Sequence, residues 1–227
     1  VEGAIRPSTR LPRTALICME NTHNAKGGTV VRHEEMLDVI DVARKYNIPV
    51  HLDGARVFNA AFAQNIDVKE LVAEVDSVMF CLSKGLSAPI GSMLAGSTEF
   101  IEKARRMRTM VGGGMRQVGV IASAGIVALT EMTERLAEDH KNARILAEGL
   151  VEIPGIRLDM ETVQTNFALI FIDTHRISPQ EFVAAMKKEE ILVTCAPNGR
   201  CRLVTHYGIT EEDVEKVIEG ISKIMKN

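Results

Sequence analysis

Several patterns that mark whole classes of protein are missing from the sequence. The longest run of apolar and small residues, 119–129, is well short of the roughly 20 residues that a membrane span requires, and no signal peptide is expected. The net charge is only −3, so no surface for nucleic acid or an anionic membrane is predicted. Neither an internal repeat nor a low-complexity segment is present. We therefore expect a cytoplasmic globular protein of one or two domains.

Cysteine is scarce as well. The four cysteines are Cys18, Cys81, Cys195 and Cys201. They include no C-x-x-C pair, and three of them lie within apolar, strand-like runs. Reduced, buried thiols are therefore expected rather than disulfides or zinc ligands, and no metal site is predicted.

The sequence does contain an unbroken apolar run that leads into a lysine. Every residue from Val78 to Leu82 is apolar, which predicts a strand covered on both faces, as in a parallel α/β sheet. Lys84 follows at the carboxyl end of this strand, the edge at which open α/β sheets bind ligands. A lysine there is partly desolvated, which favours the nucleophilic amine that Schiff-base chemistry needs. Taken alone, the pattern also describes a surface lysine that opens a loop.

A second predicted strand ends in a carboxylate. The segment 48–53 is short and apolar, and Asp53 precedes Lys84 by 31 residues, the size of a helical crossover between neighbouring parallel strands. We expect both side chains to face one crevice. The pair suits pyridoxal phosphate, whose aldehyde needs an amine and whose ring nitrogen needs an anionic partner. Asp53 is equally placed to cap a helix before Ala55, and the two roles can coexist.

The remaining elements follow from apolar periodicity and from turn residues. Strands are expected at 14–20, 48–53, 78–82, 91–96, 165–172, 191–195 and 201–205. Helices are expected at 33–46, 55–64, 68–75, 98–110, as one long helix from near 116 to 150 whose part 118–129 is tightly packed, at 179–190, and from 211 onward. Gly27 and Gly28 are expected to form a mobile turn rather than an anion cradle, because no helix follows them directly.

Five motifs, taken together, resemble those of a known family. They are 19–24 (MENTHN), 51–60 (HLDGARVFNA), 81–86 (CLSKGL), 112–117 (GGGMRQ) and 202–206 (RLVTH). In this order and spacing the chain resembles the low-specificity threonine aldolases of the β-eliminating lyase group, over nearly all of its 227 residues. Compared with that family the chain starts well inside the usual sequence, so the amino-terminal part is expected to be absent.

The resemblance implies an α/β enzyme of the fold-type I pyridoxal-phosphate class. Residues 1–135 would form the later part of the large cofactor domain, with a mainly parallel sheet, and residues 136–227 a small α/β domain. The implied reaction is retro-aldol cleavage of threonine or allo-threonine to glycine and acetaldehyde. The implied partners are the amino-acid substrate and either further copies of the chain, in a dimer or tetramer, or a second chain that supplies the amino-terminal part.

The resemblance also assigns the residues that hold the cofactor. Lys84 binds the aldehyde, and Asp53 keeps the ring nitrogen protonated. Arg56, three residues beyond Asp53, meets cofactor or substrate, although a local salt bridge explains it equally well from sequence alone. Arg116 follows three glycines and precedes a helix, so it and the free helix amides are expected to meet the phosphate, the alternative being a plain hinge.

Two further residues are assigned to the substrate. Arg202 matches the arginine of the small domain that holds the substrate carboxylate, with Arg56 assisting. His23 is expected near the β-hydroxyl, where it assists departure of the hydroxyl proton. Without the resemblance, His23 reads as a solvent-exposed loop residue and Arg202 as a paired edge residue. His206 is expected to be structural.

The fold does not select one reaction. The same apparatus serves β-elimination, transamination and racemisation. The alternative to an enzyme is an inactive piece of one, which folds and associates but catalyses no reaction.

Overall fold

A computed structural model describes residues 1–6 and 12–226 of the chain. The chain divides into two compact units, one of residues 1–22 and 31–133 and the other of residues 23–30 and 134 onward. The first unit contains β1 (Ile17–Glu20), α1 (His33–Lys45), β2 (Val50–Asp53), α2 (Val57–Gln64), α3 (Val68–Leu71), β3 (Ser77–Cys81), β4 (Ser92–Gly96), α4 (Thr98–Met110) and α5 (Gly119–Thr130). The second contains α6 (Leu136–Val151), β5 (Ile156–Leu158), β6 (Phe167–Ile172), α7 (Pro179–Lys188), β7 (Arg200–Val204) and α8 (Glu211–Lys226).

The sheet of the first unit has the order β1-β2-β3-β4. The first three strands are parallel, with Leu52 of β2 opposite Met19 on one side and Val78 on the other, and β4 is antiparallel to β3. β2 and β3 are interior strands, each paired on both sides, and Leu52 and Val78, which lie opposite each other, are buried. The predicted α/β class with a mainly parallel sheet is confirmed.

Helix α1 shows how the sequence produces this arrangement. Met36, Ile40 and Ala43 recur at helical spacing and are buried, and Ile40 and Ala43 pack against β2. The helix begins after Arg32, whose N–H donates to the Glu35 carboxylate at 2.9 Å, so one of the unpaired amides of the first turn is satisfied. It ends close to the predicted residue 46 and forms the crossover between β1 and β2.

The long helix predicted from 116 to 150 is two helices in the structure. α5 begins at Gly119 and α6 ends at Val151, with a break at 131–135. The expected tight packing of 118–129 is also wrong, because Val120 is 81% exposed and Ile126 64% exposed. Only Gly125 and Ala128 are buried in α5, so the described chain covers one narrow face of a helix that is apolar all round.

The second unit is an antiparallel sheet with helices packed on it. Its strand order is β5-β6-β7, with Ile170 of β6 opposite Cys201 of β7. Phe182 and Met186 of α7 and Ile221 of α8 are buried in one core with β6. The strand β5 was not predicted, because three residues are too few to show a period of two.

The predicted strand at 191–195 does not form. Among the described residues, its pairing with β7 is limited to one antiparallel bridge between Cys195 and Cys201. That bridge holds the two Cα atoms 4.3 Å apart, and the cysteines form a disulfide. The expectation of four reduced, buried thiols is therefore wrong: Cys195 and Cys201 are bonded, Cys18 is exposed, and Cys81 is half-buried. Sequence patterning missed the disulfide because the pair is defined by a hairpin and not by a C-x-x-C motif.

In residues 1–6 and 12–226, no helix is both long and apolar enough to cross a membrane.

Candidate active site

Asp53 is the last residue of β2, and its side chain is exposed at the carboxyl edge of the sheet. The Ala55 N–H donates to Asp53 Oδ1 at 3.1 Å, which fixes the carboxylate over the turn into α2. The N-cap residue of α2 is Arg56, so the prediction that Asp53 caps this helix is wrong. Asp53 instead accepts a hydrogen bond within the turn that precedes the helix.

The close approach of β2 to β3 at this edge depends on a glycine. The Gly54 N–H donates to the Met79 carbonyl at 2.8 Å, and a Cβ on Gly54 would lie 2.9 Å from that same oxygen. A side chain there would push the end of β2 away from β3. Gly54 therefore sets where Asp53 stands relative to β3, a role that the sequence alone did not reveal.

Lys84 lies in the turn that joins β3 to β4. The Ser87 N–H donates to the Lys84 carbonyl at 2.8 Å, and the Ala88 N–H donates to the Leu82 carbonyl at 2.9 Å. Leu82 and Leu86 are buried beneath this turn, while Lys84 is exposed. The expected partial desolvation of Lys84 is therefore wrong for this chain, because the described elements cover the turn from one side only.

Asp53 and Lys84 share one edge of the sheet. β2 and β3 are neighbouring parallel strands, with Asp53 opposite Met79, so their carboxyl ends lie at the same edge. Asp53 ends one strand, and Lys84 follows its neighbour by three residues, at this edge. This is the arrangement that the two strand-end patterns predict.

Arg56 and Arg116 belong to the same unit. Arg56 is half-buried at the start of α2, three residues beyond Asp53. Arg116 is exposed and precedes α5, which begins at Gly119 rather than at the predicted 116–117. The Ile121 N–H already donates to the Val118 carbonyl at 3.0 Å, so fewer first-turn amides face outward than the sequence suggested.

The second unit carries the other two predicted site residues. His23 begins a loop that closes on itself, since its N–H donates to the Thr29 carbonyl at 2.8 Å and its carbonyl accepts from the Gly28 N–H at 3.0 Å. The Thr165 hydroxyl donates to the Gly28 carbonyl at 2.8 Å. Gly27 and Gly28 are buried, so the turn is packed in place and the expectation of a mobile turn is wrong.

Arg202 extends from β7 toward this loop. Its Nη1 donates to Asn24 Oδ1 at 2.8 Å, and its guanidinium lies 5.5 Å from the centre of the Phe167 ring. Asn24 and the ring hold the guanidinium in one orientation, and Arg202 borders a cavity of about 380 Å³. Its other lining residues are Asn24, Ala25, Leu169, Thr194, Cys195, Ala196 and Arg200. Among the described residues, none that lines this cavity is acidic, which suits a ligand with a carboxylate.

Within the units, the structure brings Asp53 and Lys84 to one edge and places Arg202 against Asn24, the neighbour of His23. Asn24 was part of a recognised motif without a role of its own, and the structure shows that its side chain accepts a hydrogen bond from Arg202. His206 is exposed, and its Nδ1 lies 2.9 Å from the Tyr207 carbonyl.

Comparison with known proteins adds an independent line of evidence. Residues 1–173 match the beta-eliminating lyase family. Low-specificity L-threonine aldolase 1 of Arabidopsis thaliana is 42% identical over 99% of this chain and 64% of its own length. Low specificity L-threonine aldolase of Escherichia coli is 40% identical over 90% of this chain and 59% of its own length. A solved structure of Leishmania major threonine aldolase superposes with a TM-score of 0.76 and 18% identity, over 99% of this chain and 65% of that one. The chain thus spans less than two thirds of the length of these relatives.

Proposed function

Since this chain belongs to the β-eliminating lyase family, we propose that it functions in a pyridoxal-phosphate-dependent carbon–carbon lyase. This enzyme would cleave threonine or allo-threonine to glycine and acetaldehyde. The observation that carries the proposal is the shared strand edge of Asp53 and Lys84. The 40–42% identity to low-specificity threonine aldolases supports the choice of substrate. The cofactor domain in this proposal is 1–135, and the small domain is 136–227.

The donor set of the first unit fits the cofactor. Lys84 offers an exposed primary amine for the aldehyde, and Asp53 offers an exposed carboxylate for the ring nitrogen. Arg56 and Arg116 add two guanidinium groups for anionic oxygens, with Arg116 assigned to the phosphate. When bound, pyridoxal phosphate supplies an electron-withdrawing ring to the α-carbon of an amino acid.

The roles of the protein groups follow from their chemistry. Asp53 holds the proton on the ring nitrogen, so the ring remains electron-withdrawing. Arg202, oriented by Asn24, binds the substrate carboxylate through its remaining N–H groups, and Arg56 assists. His23 accepts the proton of the β-hydroxyl, directly or through water, as the bond between Cα and Cβ breaks.

Lys84 is the residue on which the proposal can be tested most directly. The purified chain is mixed with pyridoxal phosphate and reduced with borohydride, and the modified peptide is identified by mass spectrometry. We expect the pyridoxyl group on Lys84 in the wild type, and no such label in Lys84→Arg. Lys103→Arg is the control, because it alters an exposed lysine that pairs with Glu99, and it should be labelled on Lys84 as the wild type is. A label on another lysine would contradict the assignment. Release of glycine and acetaldehyde from threonine then distinguishes the lyase from a transaminase, a racemase or a β-eliminating enzyme.

A second candidate is a chain that folds and associates without chemistry. It is favoured by the exposure of both Lys84 and Asp53, since catalytic groups of this kind normally work where water is excluded. The absorbance of bound cofactor separates the two candidates. A chain that shows no bound cofactor at saturating pyridoxal phosphate supports the second candidate.

A further inference from the structure

One segment of the second unit forms a wall shared by two cavities. We call residues 190–196 the wall segment. Residues 190–194 line a cavity of about 590 Å³ beside β7 and α8, and residues 194–196 line the cavity of about 380 Å³ that contains Arg202. A change in the position of this segment would therefore alter both cavities.

The backbone hydrogen bonds of the wall segment are concentrated at its two ends. The Ile191 N–H donates to the Met186 carbonyl at 3.0 Å, and the Ala196 N–H donates to the Arg200 carbonyl at 2.8 Å. Between these points, the pairing with β7 described in the structure is the bridge at Cys195, and Leu192 is 83% exposed. The disulfide from Cys195 to β7 is thus the one covalent tie that this part of the chain has to its sheet in the described structure.

The two sulfurs differ in their access to solvent. Cys201 is fully buried in the core of the second unit. Cys195 is half-buried and lines the cavity that contains Arg202. Cys195, the more exposed of the two residues, is therefore the one that we expect a small thiol to attack.

The register of the bridge connects this tie to Arg202. With Cys195 opposite Cys201, antiparallel register places Thr194 opposite Arg202 and Val193 opposite Leu203. Val193 and Leu203 both pack on the core, so the two segments agree in which side chains face inward. Thr194 and Arg202 accordingly line the same two cavities.

We propose that the Cys195–Cys201 disulfide is a reducible site that fixes the wall segment beside Arg202, and that a dithiol reductant releases it. A thiolate of the reductant attacks Cys195 Sγ, the bond between the two sulfurs breaks, and Cys201 leaves as a thiolate that takes up a proton. The second thiol of the reductant then attacks the mixed disulfide and frees the Cys195 thiol. Two electrons and two protons pass from the dithiol to the two cysteines, and the reductant becomes a disulfide.

The Cys201 thiol that this reaction forms has a hydrogen-bond acceptor within reach. The Gly199 carbonyl oxygen lies 3.7 Å from Cys201 Sγ, so the thiol formed on reduction can donate to it. The turn itself stays closed by the Gly199 N–H, which donates to the Ala196 carbonyl at 2.9 Å. Reduction therefore leaves the turn in place and loosens the wall segment that precedes it.

Hydrogen exchange with mass spectrometry tests the release. The oxidised chain and the chain reduced with dithiothreitol are compared, and peptides that cover 189–199 are expected to exchange on the order of tenfold faster after reduction, from the loss of loop closure. Peptides from β6 should not change. Cys195→Ser should exchange at the reduced rate under both conditions, and Cys18→Ser, which alters an exposed free cysteine, should behave as the wild type.

Two results would overturn the proposal. One is equal exchange of 189–199 in the oxidised and reduced wild type. The other is the absence of a 195–201 cross-linked peptide after treatment with oxidised glutathione. Both comparisons use the wild-type chain, so they hold even if Cys195→Ser folds poorly.

The effect on Arg202 rests on the proposed function and has a readout of its own. In the cofactor-loaded protein, reduction should raise KM for threonine several-fold with little change in kcat. The KM of Cys195→Ser should not change on reduction. This variant also controls for attack of the reductant on the cofactor. An unchanged KM together with faster exchange would refute the link to Arg202. Absence of threonine cleavage in both redox states would count against the proposed function, and the exchange experiment then decides the redox site alone.

Discussion

Asp53 combines a structural and a chemical role that one substitution can separate. In Asp53→Asn the amide oxygen can still accept from the Ala55 N–H, so the turn into α2 should persist while the negative charge is lost. We expect the cofactor to bind and kcat to fall by roughly 10²–10³-fold, the usual effect of removing one electrostatic contact to a reacting group. Cofactor absorbance and kcat are the measurements.

Asp67→Asn is the matched control. Asp67 accepts from the Lys69 N–H at 2.7 Å at the start of α3, which is the same local contact without a role in the site. Activity close to wild type in Asp53→Asn, or an equal loss in both variants, would show that the charge of Asp53 is not required.

Arg202 and His23 should fail in different ways. Arg202→Gln removes the group assigned to the substrate carboxylate and should raise KM for threonine strongly, whereas His23→Gln should mainly lower kcat for β-hydroxy substrates. Arg200→Gln is the control, because it removes a cation from the same cavity wall and retains the contact of Arg202 with Asn24. Identical kinetic defects in the first two variants would argue against separate roles.

His140 makes the stability of the second unit depend on pH. Burial lowers the pKa of His140 to about 4 from an ordinary value of 6.5. Between these values the unfolded chain carries a proton that the folded chain does not, so the free energy of unfolding falls as the pH falls from 6.5 to about 4. The slope is at most about 1.4 kcal/mol per pH unit, or roughly 3 kcal/mol over the window.

Urea unfolding at pH 7 and pH 4.5 measures this effect. His140→Gln should lose less stability than the wild type on acidification, and His175→Gln, at an exposed histidine, should match the wild type. The neighbouring Asp139, whose pKa is raised by burial, acts in the opposite direction and is present in all three proteins. A wild-type acid slope in His140→Gln would refute the assignment to this histidine.

At the scale of the elements, the loop of the second unit that begins at His23 depends on Gly28. Gly28 has a φ of +74°, and a Cβ there would lie 2.4 Å from Phe167 Cδ2 and 2.8 Å from Thr165 Oγ1. Gly28→Ala should therefore lower the free energy of unfolding by about 2–4 kcal/mol, through backbone strain and overpacking. Gly114→Ala, where a Cβ meets no atom within 4 Å, should change it by less than about 0.5 kcal/mol.

The urea midpoints of the two variants decide this point. Equal stability of Gly28→Ala and Gly114→Ala would mean that the loop yields more easily than its packing suggests. If Gly28→Ala also raises KM for threonine, the loop transmits its position to Arg202 through Asn24, which lies in the same loop.

The elements that sequence reasoning placed well are those whose stability is local. β3 was predicted because its apolar run is continuous, and α4 has the predicted bounds 98–110 and begins after Ser97, whose hydroxyl accepts from the Phe100 N–H at 3.2 Å. The strand-end positions of Asp53 and Lys84 followed from the same logic.

Other features depend on what covers a segment, which one sequence does not state. Residues 191–195 have the composition of a strand but form none, because a strand also needs a paired neighbour over its length. The exposure of Lys84 and of α5 was not predicted, because the sequence does not state which elements cover them. The contact of Asn24 with Arg202 joins residues 178 positions apart, a separation that no local pattern encodes.

At the scale of the whole molecule, exposed apolar residues are concentrated in one stretch of the first unit. Of the twenty exposed large apolar side chains among the described residues, thirteen lie between 90 and 129. They belong to β4, α4 and α5 and to the segments before and between them. β4 is one of the two edge strands of the sheet, whereas β2 and β3 are interior.

A concentration of this kind predicts self-association. Contiguous apolar surface larger than a few hundred Å² is rare on monomers and usually marks an interface. We expect the weight-average mass of the 227-residue chain in sedimentation velocity to rise with concentration, because Val120 and Ile126 of α5 are exposed apolar side chains that another copy of the chain can cover. Burial of each side chain contributes about 1.5–3 kcal/mol. The double variant Val120→Glu, Ile126→Glu should therefore weaken association by roughly tenfold or more.

Leu192→Glu is the control. It places the same charge on an apolar side chain that is 83% exposed in the second unit, so this variant should associate as the wild type does. Equal weakening by both would show that association is nonspecific, whereas a monomeric wild type would mean that the face contributes no contact between copies.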